Sequence, residues 1–415
     1  MSTILTIIPY SFYPPKGGGA LRCFYLLREM SFRHTVYLLT IQQEKDFETN
    51  SLSGFPKNVK VISIYKFPKY RSVFNFLPSK IADAINFRIL KRTAKESTDT
   101  SLLQIYPALD SLLQKVNFDV IFYENLEAVS LLANIINRKS PASIKVYDAH
   151  NVDSELWMQK SNSENIVLYR EYAKKALLTE KSLFKKADIF FSCSQRDNEK
   201  LVKINNGKIR GTVIPNGVDT ELNPFDTNPT KHLIKNIIFC GSLGYFPNKE
   251  GLRWFYTNVF PLVIEKFPSV TLTVIGNVTD KADYAFLQND EAVNFVGKVE
   301  SVIPYYKNAS VSIVPLKSGS GTRLKILEAM SLGNPVVSSS IGAEGIEYSD
   351  NTNILIADEP AAFASQIAFL LQNEKAFNKI RKNGRELVHK VYAWNKIGEQ
   401  MNKSLEEVFK KKVKL

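Results

Sequence analysis

The sequence predicts an α/β protein of two doubly wound domains that face each other across a cleft. Short apolar runs rich in β-branched residues alternate with helix-like stretches along the chain, which is the pattern of parallel sheets with covering helices. A polar segment rich in proline and asparagine, residues 216–236, interrupts this alternation, and a second series follows it. The 415 residues are enough for two or three domains with sizeable cores.

The first series predicts an N-terminal domain over residues 1–215. Its apolar runs are typical of buried parallel strands: TILTIIP (3–9), TVYLLTI (35–41), VKVISI (59–64), DVIFY (119–123), SIKVYD (143–148), DIFFS (188–192) and GTVIP (211–215). Helix-like stretches lie between most of these runs, at 19–33, 101–116, 126–137 and 164–187.

The second series predicts a linker over residues 216–235 and a C-terminal domain over residues 236–393. Its strand-like runs also alternate with helices: NIIFCGSL (236–243), VTLTVIG (270–276), VNFVG (293–297), VSIVPL (311–316), PVVSS (335–339) and NILIA (353–357). Because the two series are alike, we expect two domains of the same architecture.

Composition excludes several classes of protein. No run of 18 or more apolar residues is present, and the start lacks the basic region of a signal peptide, so we expect neither a membrane span nor export. Cys23, Cys193 and Cys240 are scattered in apolar contexts, which is typical of reduced core residues in a cytoplasmic protein. The four histidines have no zinc-ligand spacing, and we expect no metal site.

The net charge of +13 favours an anionic partner. No helix-turn-helix, zinc-finger or RNP-type pattern is found, so we do not expect nucleic acid. Basic residues interleave with aromatic ones over residues 66–95, which favours peripheral contact with acidic lipids on the inner face of the cell membrane. A packed helical insert with a solvated basic face is the open alternative.

The segment SGSGTRLKILEAM, residues 318–330, predicts an anion site. Thr322 is a good N-cap, which places Arg323 and Lys325 in the first turn of a mostly apolar helix. Cations there oppose the helix dipole, unless a bound anion such as phosphate reverses the cost. Glu328, one turn later, is suited to accept hydrogen bonds from a ligand's hydroxyls. An ordinary surface loop with a solvated helix start is the alternative.

Polar turns follow other strands, at the carboxyl edge where open α/β sheets bind ligands. The turn at Gly17–Gly19 lets a ligand approach the backbone, although an ordinary strand-to-helix turn has the same composition. His150 follows a strand and is either a site residue or a local cap. The turn that begins at Gly241 has the same character in the second series. Together these turns predict a phosphate-bearing ligand between the domains.

These motifs, in this order, resemble the GT-B glycosyltransferases of the retaining group 1 family, which includes sucrose synthase and the phosphatidylinositol mannosyltransferases. The resemblance covers almost the whole chain. It rests on GGGALR, DAHNVDSE (148–155), VIPNGVD (213–219), GSLGYFPNKEG (241–251), SGSGTRLKILEAMSLGNPVVSS (318–339) and VYAW (391–394). It implies a metal-independent hexosyltransferase that moves a sugar from a nucleotide-diphosphate sugar to a saccharide or lipid-linked saccharide, in cell-surface polysaccharide or glycoconjugate biosynthesis.

The resemblance implies roles for individual residues. His150 would lie near the donor sugar, Arg323 and Lys325 would neutralise the leaving diphosphate, and these three are the candidate catalytic residues. The candidate donor-binding residues are Gly17, Gly18, Gly19, Gly241, Asn248, Ser320, Gly321, Thr322 and Glu328. The last helix, about 394–410, would cross back onto the N-terminal domain. The acceptor would lie near His150, Glu124, Asn125 and residues 66–95.

Two departures from the family pattern bear on this interpretation. Ser320 stands where the family has the first Glu of its Glu-seven-residues-Glu signature, so the donor sugar cannot be carried over. Ser242 and Asn248 stand where the family has Arg and Lys, and we expect Arg323 and Lys325 to supply that charge. A sugar-nucleotide epimerase of the same fold and a non-catalytic partner subunit are the alternative functions.

Overall fold

The structure is a computed structural model. It describes residues 1–10, 12–13, 15, 17–42, 58–65, 101–164, 167–228, 230–278, 281–287, 290–319 and 323–412. The chain divides into two compact units, each of which is described by itself. The first unit is Met1–Ile214 together with Gly398–Leu415, and the second is Pro215–Ile397.

The first unit contains a parallel sheet of seven strands in the order β3-β2-β1-β4-β5-β6-β7. The strands are β1 (Thr3–Ile8), β2 (Thr35–Gln42), β3 (Val59–Tyr65), β4 (Val120–Glu124), β5 (Ile144–Ala149), β6 (Ile189–Ser192) and β7 (Arg210–Val213). The helices are Gly18–Ser31, Ser101–Lys115, Leu126–Lys139, Asp153–Glu164, Val167–Lys181, the short 3-10 helix Leu183–Lys185, and Gln195–Ile204. The apolar runs are continuous because helices cover both faces of a parallel sheet.

The second unit contains a parallel sheet of six strands in the order β10-β9-β8-β11-β12-β13. The strands are β8 (Asn236–Cys240), β9 (Thr271–Ile275), β10 (Val293–Gly297), β11 (Val311–Val314), β12 (Val336–Ser338) and β13 (Leu355–Ile356). The helical segments are Lys231–Ile234, Phe246–Trp254, Phe255–Val259, Phe260–Lys266, Lys281–Leu287, Ile303–Lys307, Leu324–Ser331, Pro360–Gln372, Glu374–Leu387 and Val388–Tyr392.

The second sheet has a buried core on each face. Alternate residues of one strand point to opposite faces, so Ile237 and Phe239 join one cluster, whereas Ile238 and Cys240 join the other. The amphipathic helix Leu324–Ser331 covers the second face with Ile326 and Leu327. This packing holds the start of that helix against the carboxyl edge of the sheet.

The predicted strands and the doubly wound architecture are confirmed in both units. The prediction of one helix over residues 164–187 is wrong in its bounds. The helix Asp153–Glu164 ends there, and Val167–Lys181 and a 3-10 turn follow. Asp153–Glu164 was not predicted because its polar sequence, DSELWMQKSNSE, has no apolar periodicity.

The segment expected to be a linker, 216–235, is part of the second unit. Lys231 anchors it, because its buried ammonium donates to Asp226 Oδ2 at 2.8 Å, to the carbonyl of Tyr306 at 2.7 Å and to Asn334 Oδ1 at 3.1 Å. A short 3-10 helix, Lys231–Ile234, carries this lysine.

The last helix, Trp394–Lys412, begins in the second unit, and from Gly398 onward the chain belongs to the first. A Cβ at Gly398 would lie 2.5 Å from Glu29 Cβ, so this glycine allows close packing on the helix Gly18–Ser31. Asn402 Oδ1 lies 3.1 Å from His34 Nε2, and Gln400 donates to the carbonyl of Val213 at 2.9 Å.

No helix in the described ranges has the length and apolar character needed to cross a bilayer. The basic-aromatic segment 66–95, for which we predicted membrane contact, lies outside the described residues.

Candidate functional site

Each sheet has a topological switch point, where successive strands of the chain stop being added on one side of the first strand and are added on its other side. In the first sheet it lies between β1 and β4, and in the second between β8 and β11. Open α/β sheets bind ligands beyond the carboxyl ends of the strands at these points. The glycine turn at Gly17 follows β1, Gly241 follows β8, and the segment leading to Arg323 follows β11.

Lys325 is the central charge at the switch point of the second sheet. Its ammonium donates to Asn248 Oδ1 at 2.6 Å and lies 4.8 Å from the centre of the Phe239 ring. Burial lowers the pKa of Lys325 to about 8, and the charge of Arg323 acts in the same direction, whereas Cys240 and Glu328 act in the opposite direction. Among the described residues it forms no ion pair. A partly buried cation without a carboxylate partner favours an anionic ligand.

Asn248 connects Lys325 to the turn after β8. Its Nδ2 donates to the carbonyl of Ser242 at 2.7 Å. A Cβ at Gly241 would lie 2.6 Å from Lys325 Nζ and 3.0 Å from Asn248 Nδ2. The structure therefore brings Gly241, Asn248 and Lys325 together, as the sequence predicted. Lys249, the neighbouring cation, forms an ion pair with Asp283 instead.

Arg323 corrects one detail of the sequence analysis. The helix begins at Leu324, and Arg323 is its N-cap residue with the non-helical dihedrals φ −84° and ψ 83°, so Thr322 is not the N-cap. The Arg323 side chain is buried, and a Cβ at Gly319, where φ is +113°, would lie 3.0 Å from its Nη2. Gly319 thus allows the loop to approach the guanidinium. Ser320, Gly321 and Thr322 lie outside the described residues.

Glu328 lies one helical turn beyond Lys325 and is partly buried. Burial raises its pKa to about 7, although the charge of Lys325 acts in the opposite direction. Within the described ranges its carboxylate accepts no hydrogen bond. A carboxylate in this environment is available to bind the hydroxyl groups of a ligand.

A second cluster of polar side chains lies at the carboxyl edge of the first sheet. His150, just after β5, places its Nε2 3.3 Å from Glu124 Oε2 and 3.4 Å from Asp148 Oδ2. β4 and β5 pair with Glu124 opposite Asp148, which puts both carboxylates beneath the imidazole. Burial disfavours the imidazolium, but Cys23 and the two carboxylates outweigh it and raise the pKa of His150 well above its usual value.

Arg22 compensates the charge of this cluster. It is fully buried and forms a bidentate ion pair with Asp148, with Nε to Oδ2 at 2.7 Å and Nη2 to Oδ1 at 2.6 Å. Its Nη1 donates to the carbonyl of Ile214 at 2.7 Å. Although burial opposes ionisation of Asp148, Arg22 holds the pKa of this carboxyl far below its usual range. Sequence reasoning missed this pair, because 126 residues separate its members.

The glycine turn contacts this cluster through one of its members. A Cβ at Gly19 would lie 3.0 Å from His150 Nδ1, so the absence of a side chain lets the helix Gly18–Ser31 approach the imidazole. Gly17 has φ +87°, a conformation that favours glycine. Gly17 and Gly18 are exposed. The turn therefore combines a close approach at Gly19 with accessible backbone at the other two positions.

The residues expected near the acceptor have structural roles as well. Asn125 is the N-cap of the helix Leu126–Lys139, and its Oδ1 accepts from the backbone N–H of Ala128 at 3.0 Å. Glu124 is fully buried, and burial together with Asp148 raises its pKa. Asn125 is thus a capping residue, and Glu124 is a buried carboxyl in contact with His150 and Cys23.

Comparison with known proteins agrees with this architecture. Residues 234–373 match the family described as glycosyl transferases group 1. An uncharacterized 44.6 kDa protein in the cps region of Klebsiella pneumoniae is 25% identical over 419 residues, 96% of this chain and 98% of that protein. A phosphatidyl-myo-inositol mannosyltransferase of Mycobacterium leprae is 26% identical over 208 residues, 47% of this chain and 53% of that protein.

Two solved structures show the same fold at low sequence identity. Sucrose-phosphate synthase from Thermosynechococcus elongatus superimposes with a TM-score of 0.70 at 17% identity, covering 99% of both chains. HepE of Anabaena, solved in complex with UDP, has a TM-score of 0.68 at 16% identity and covers 98% of this chain and 100% of its own.

The two sheets and these neighbours define the chain as a GT-B protein with two Rossmann-like units. Within its second unit, residues 234–373 match the group 1 glycosyl transferases.

Proposed function

We propose that this protein transfers a hexose from a nucleotide-diphosphate sugar to a saccharide or lipid-linked saccharide acceptor, with retention of anomeric configuration and without a metal ion. Breaking the sugar–phosphate bond develops negative charge on the diphosphate and oxocarbenium character on the sugar. Fixed cations aimed at the leaving oxygen stabilise that transition state. The proposal therefore depends on which side chains provide positive charge at the donor site.

The environment of Lys325 is the observation that carries the proposal. This ammonium is fixed by Asn248 and lies beside Gly241, where the backbone admits a close ligand. Arg323, the buried N-cap residue of the same helix, supplies the second positive charge. Two cations at a helix N-terminus fit a diphosphate, and they supply the charge that a divalent ion supplies in other enzymes.

Glu328 and His150 would bind the ribose and the sugar of the donor. Glu328 binds the ribose hydroxyls of the donor, since its carboxylate accepts no hydrogen bond from the described residues. His150 contacts the donor sugar, where its proton is held by Glu124 and Asp148. Retention follows from attack of the acceptor on the face that the diphosphate leaves, with the leaving phosphate accepting the acceptor's proton.

The class of donor and acceptor is supported by the relatives. HepE of Anabaena has been solved with UDP and with UDP-glucose, which favours a uridine nucleotide as the first donor to test. One relative lies in a cps region and another is a phosphatidyl-myo-inositol mannosyltransferase. We infer a lipid-linked saccharide acceptor, cell-surface polysaccharide as the product, and action at the cytoplasmic face of the membrane, with the net charge of +13 favouring acidic lipid.

Thermal unfolding against UDP-, GDP- and ADP-sugars, with and without magnesium, tests the proposed donor site. We expect one nucleotide family to raise the unfolding temperature independently of magnesium, because ligand binding to the folded state stabilises it. Arg323→Ala should lose this shift. Arg253→Ala is the matched control, since Arg253 is exposed and stacks on Phe286. No shift with any nucleotide would favour a non-catalytic subunit.

Proton NMR of the donor reaction then tests the chemistry. The sugar released from the nucleotide should first appear in the donor's own anomeric configuration, with equal rates in EDTA and in magnesium. Inverted product would contradict retention. A rearranged sugar that forms without any acceptor would identify an epimerase instead.

A further inference from the structure

Three side chains from distant parts of the first unit bring one donor atom each to the same point. Cys23 lies on the helix Gly18–Ser31, Glu124 ends β4, and His150 follows β5. Their ligand atoms lie within 4.8 Å of one another. Cys23 and Glu124 are fully buried, and His150 is 15% exposed, so the point is reached from the imidazole side.

The separations between these atoms match those of ligands around one small ion. Glu124 Oε2 lies 3.3 Å from His150 Nε2 and 3.4 Å from Cys23 Sγ, and Cys23 Sγ lies 3.9 Å from His150 Nε2. Tetrahedral Zn²⁺ with its usual bond lengths separates S, N and O ligands by about 3.3–3.6 Å. The two shorter distances therefore fit, and the third needs a shift of a few tenths of an ångström.

The buried carboxylate of Glu124 gives a second, independent indication of a ligand. Its Oε1 is buried and has no hydrogen-bond partner among the described residues. Arg22 forms two hydrogen bonds with Asp148, and although its charge also lowers the pKa of Glu124, Glu124 Oε1 accepts no hydrogen bond from the described residues. An orphaned carboxylate oxygen in a dry site is costly unless a cation or donor approaches it.

We propose that Cys23, Glu124 and His150 form a site for a thiophilic divalent cation of the Zn²⁺ class, with a fourth position left for water. Thiolate, imidazole and carboxylate together are ligands that Zn²⁺ prefers, and the Cys23 thiol would release its proton to solvent as the sulfur–metal bond forms. Asp148 Oδ2, held by Arg22, lies 3.4 Å from the same Nε2, so coordination of His150 would replace this contact.

Occupation of this site inhibits the enzyme. A coordinated His150 Nε2 no longer carries a proton between the carboxylates and no longer contacts the sugar. This consequence rests on the proposed function, whereas metal binding itself does not. The transferase reaction uses no metal in our proposal, so the cation is an inhibitor and not a cofactor.

Titration of the full chain with Co²⁺ tests binding without any assay of activity. We expect a 1:1 complex with a thiolate-to-metal charge-transfer band, which Zn²⁺ abolishes by displacing Co²⁺. Cys23→Ser should lose the band. Cys193→Ser is the matched control, because Cys193 is also a buried cysteine of the first unit that forms no disulfide, and this variant should keep the band. Glu124→Gln, which keeps the thiol, should weaken Co²⁺ binding by at least about tenfold.

These measurements distinguish failure of the metal site from failure of the proposed transferase function. Absence of the band in the wild type, or its persistence in Cys23→Ser, overturns the metal site whatever the enzyme does. If the band behaves as expected, Zn²⁺ should inhibit donor turnover, and Cys23→Ser should require at least about tenfold more Zn²⁺ for half-inhibition of its own rate. Equal sensitivity of Cys23→Ser and Cys193→Ser overturns the inhibitory role. If the wild type has no transferase activity even without zinc, the proposed function is contradicted, whereas the metal site is still judged by the band.

Discussion

The position of His150 depends on a missing side chain. Gly19 lies against the imidazole, and a Cβ there would be 3.0 Å from Nδ1 and 3.9 Å from the hydroxyl of Tyr10. Tyr10 in turn contacts Cys23 at 3.3 Å, so the imidazole has packed neighbours on that side. A side chain at position 19 would therefore displace the His150 imidazole, because the packed neighbours leave no other space for it.

Gly19→Ala should lower kcat by about tenfold or more, because sub-ångström displacement of a catalytic group is costly. The free energy of unfolding should change by no more than about 1 kcal/mol, since the preference of a helix for alanine over glycine opposes the cost of the tight contact with the imidazole. Steady-state kinetics with urea unfolding as the control measure both quantities. Wild-type kcat in Gly19→Ala would show that contact with Gly19 does not position His150.

At the scale of single residues, the sequence predicted the proximity of neighbouring motifs in the second unit better than the buried pairs of the first. Gly241, Asn248 and Lys325 form a local pattern of glycine turn and helix start, and the structure brings them together. Arg22 and Cys23 carry no such signal. Their partners, Asp148 and Glu124, are more than 100 residues away, and only the pairing of strands brings them close.

Between elements, the strongest polar link of the first unit joins the helix Gly18–Ser31 to β5. Arg22 pairs with Asp148, and both side chains are at most 1% exposed. Removing one member of a buried pair leaves an uncompensated charge in a medium of low polarity. Gly19 lies on the same helix as Arg22, so the ion pair with Asp148 also positions Gly19 relative to β5.

Arg22→Met should lower the free energy of unfolding by about 3–5 kcal/mol, because Asp148 would remain buried without its partner. Arg28→Met is the control on the same helix. Arg28 is 27% exposed and pairs with Glu29, so its replacement should lower the free energy of unfolding by less than that of the fully buried Arg22. Urea unfolding measures both changes. Equal effects of the two substitutions would contradict a structural role for the buried pair.

A second link joins the helices Asp153–Glu164 and Val167–Lys181. Glu180 is fully buried, and its Oε1 accepts from the backbone N–H of Ser154 at 3.2 Å. Its Oε2 has no hydrogen-bond partner in the described part of the chain. Burial, only partly offset by the contact with Ser154, raises the pKa of Glu180 to about 7.

This shift predicts the sign of a pH effect. The folded state holds a proton on Glu180 up to about pH 7, whereas the unfolded state loses it near its ordinary value of 4.5. Glu180 therefore favours folding below pH 4.5, and this contribution is lost as the pH rises to about 7. The difference corresponds to about 3 kcal/mol.

Glu180→Gln should remove that pH dependence, because the amide stays neutral and can still accept from Ser154. Relative to wild type, the variant should gain free energy of unfolding between pH 5 and pH 8. Urea unfolding at the two pH values measures the gain. Glu171→Gln, on the same helix but in a surface pair with Lys174, should leave it unchanged. An unchanged profile in Glu180→Gln would contradict the account.

At the scale of the elements, strands were easier to predict than helices. Strands of a parallel sheet are short, apolar and β-branched, and each predicted run overlaps an observed strand. The helix Asp153–Glu164 escaped prediction because its sequence lacks apolar periodicity. Its position is fixed by tertiary contacts such as the edge-to-face contact of Trp157 with Tyr172, which a local pattern cannot show.

For the whole molecule, two sheets of the same strand order place one switch point in each unit. The first unit holds a buried pair of carboxylates beneath a histidine, and the second holds cations at a helix start. The repeat of strand and helix predicted this organisation. The sequence also predicted a linker at 216–235, but the burial of Lys231 makes that segment part of the second unit.

Calorimetric titration of UDP, GDP and ADP without magnesium, on wild type, Lys325→Met and Lys249→Met, tests the central claim most directly. We expect one nucleotide to bind, and Lys325→Met to bind it roughly 10–100-fold more weakly, because a hydrogen bond to a charged group contributes about 1.5–3 kcal/mol. Lys249→Met should bind as wild type does, since Lys249 is committed to Asp283. Equal affinity of Lys325→Met and wild type, or no binding of any nucleotide to wild type, would contradict a diphosphate site at Lys325.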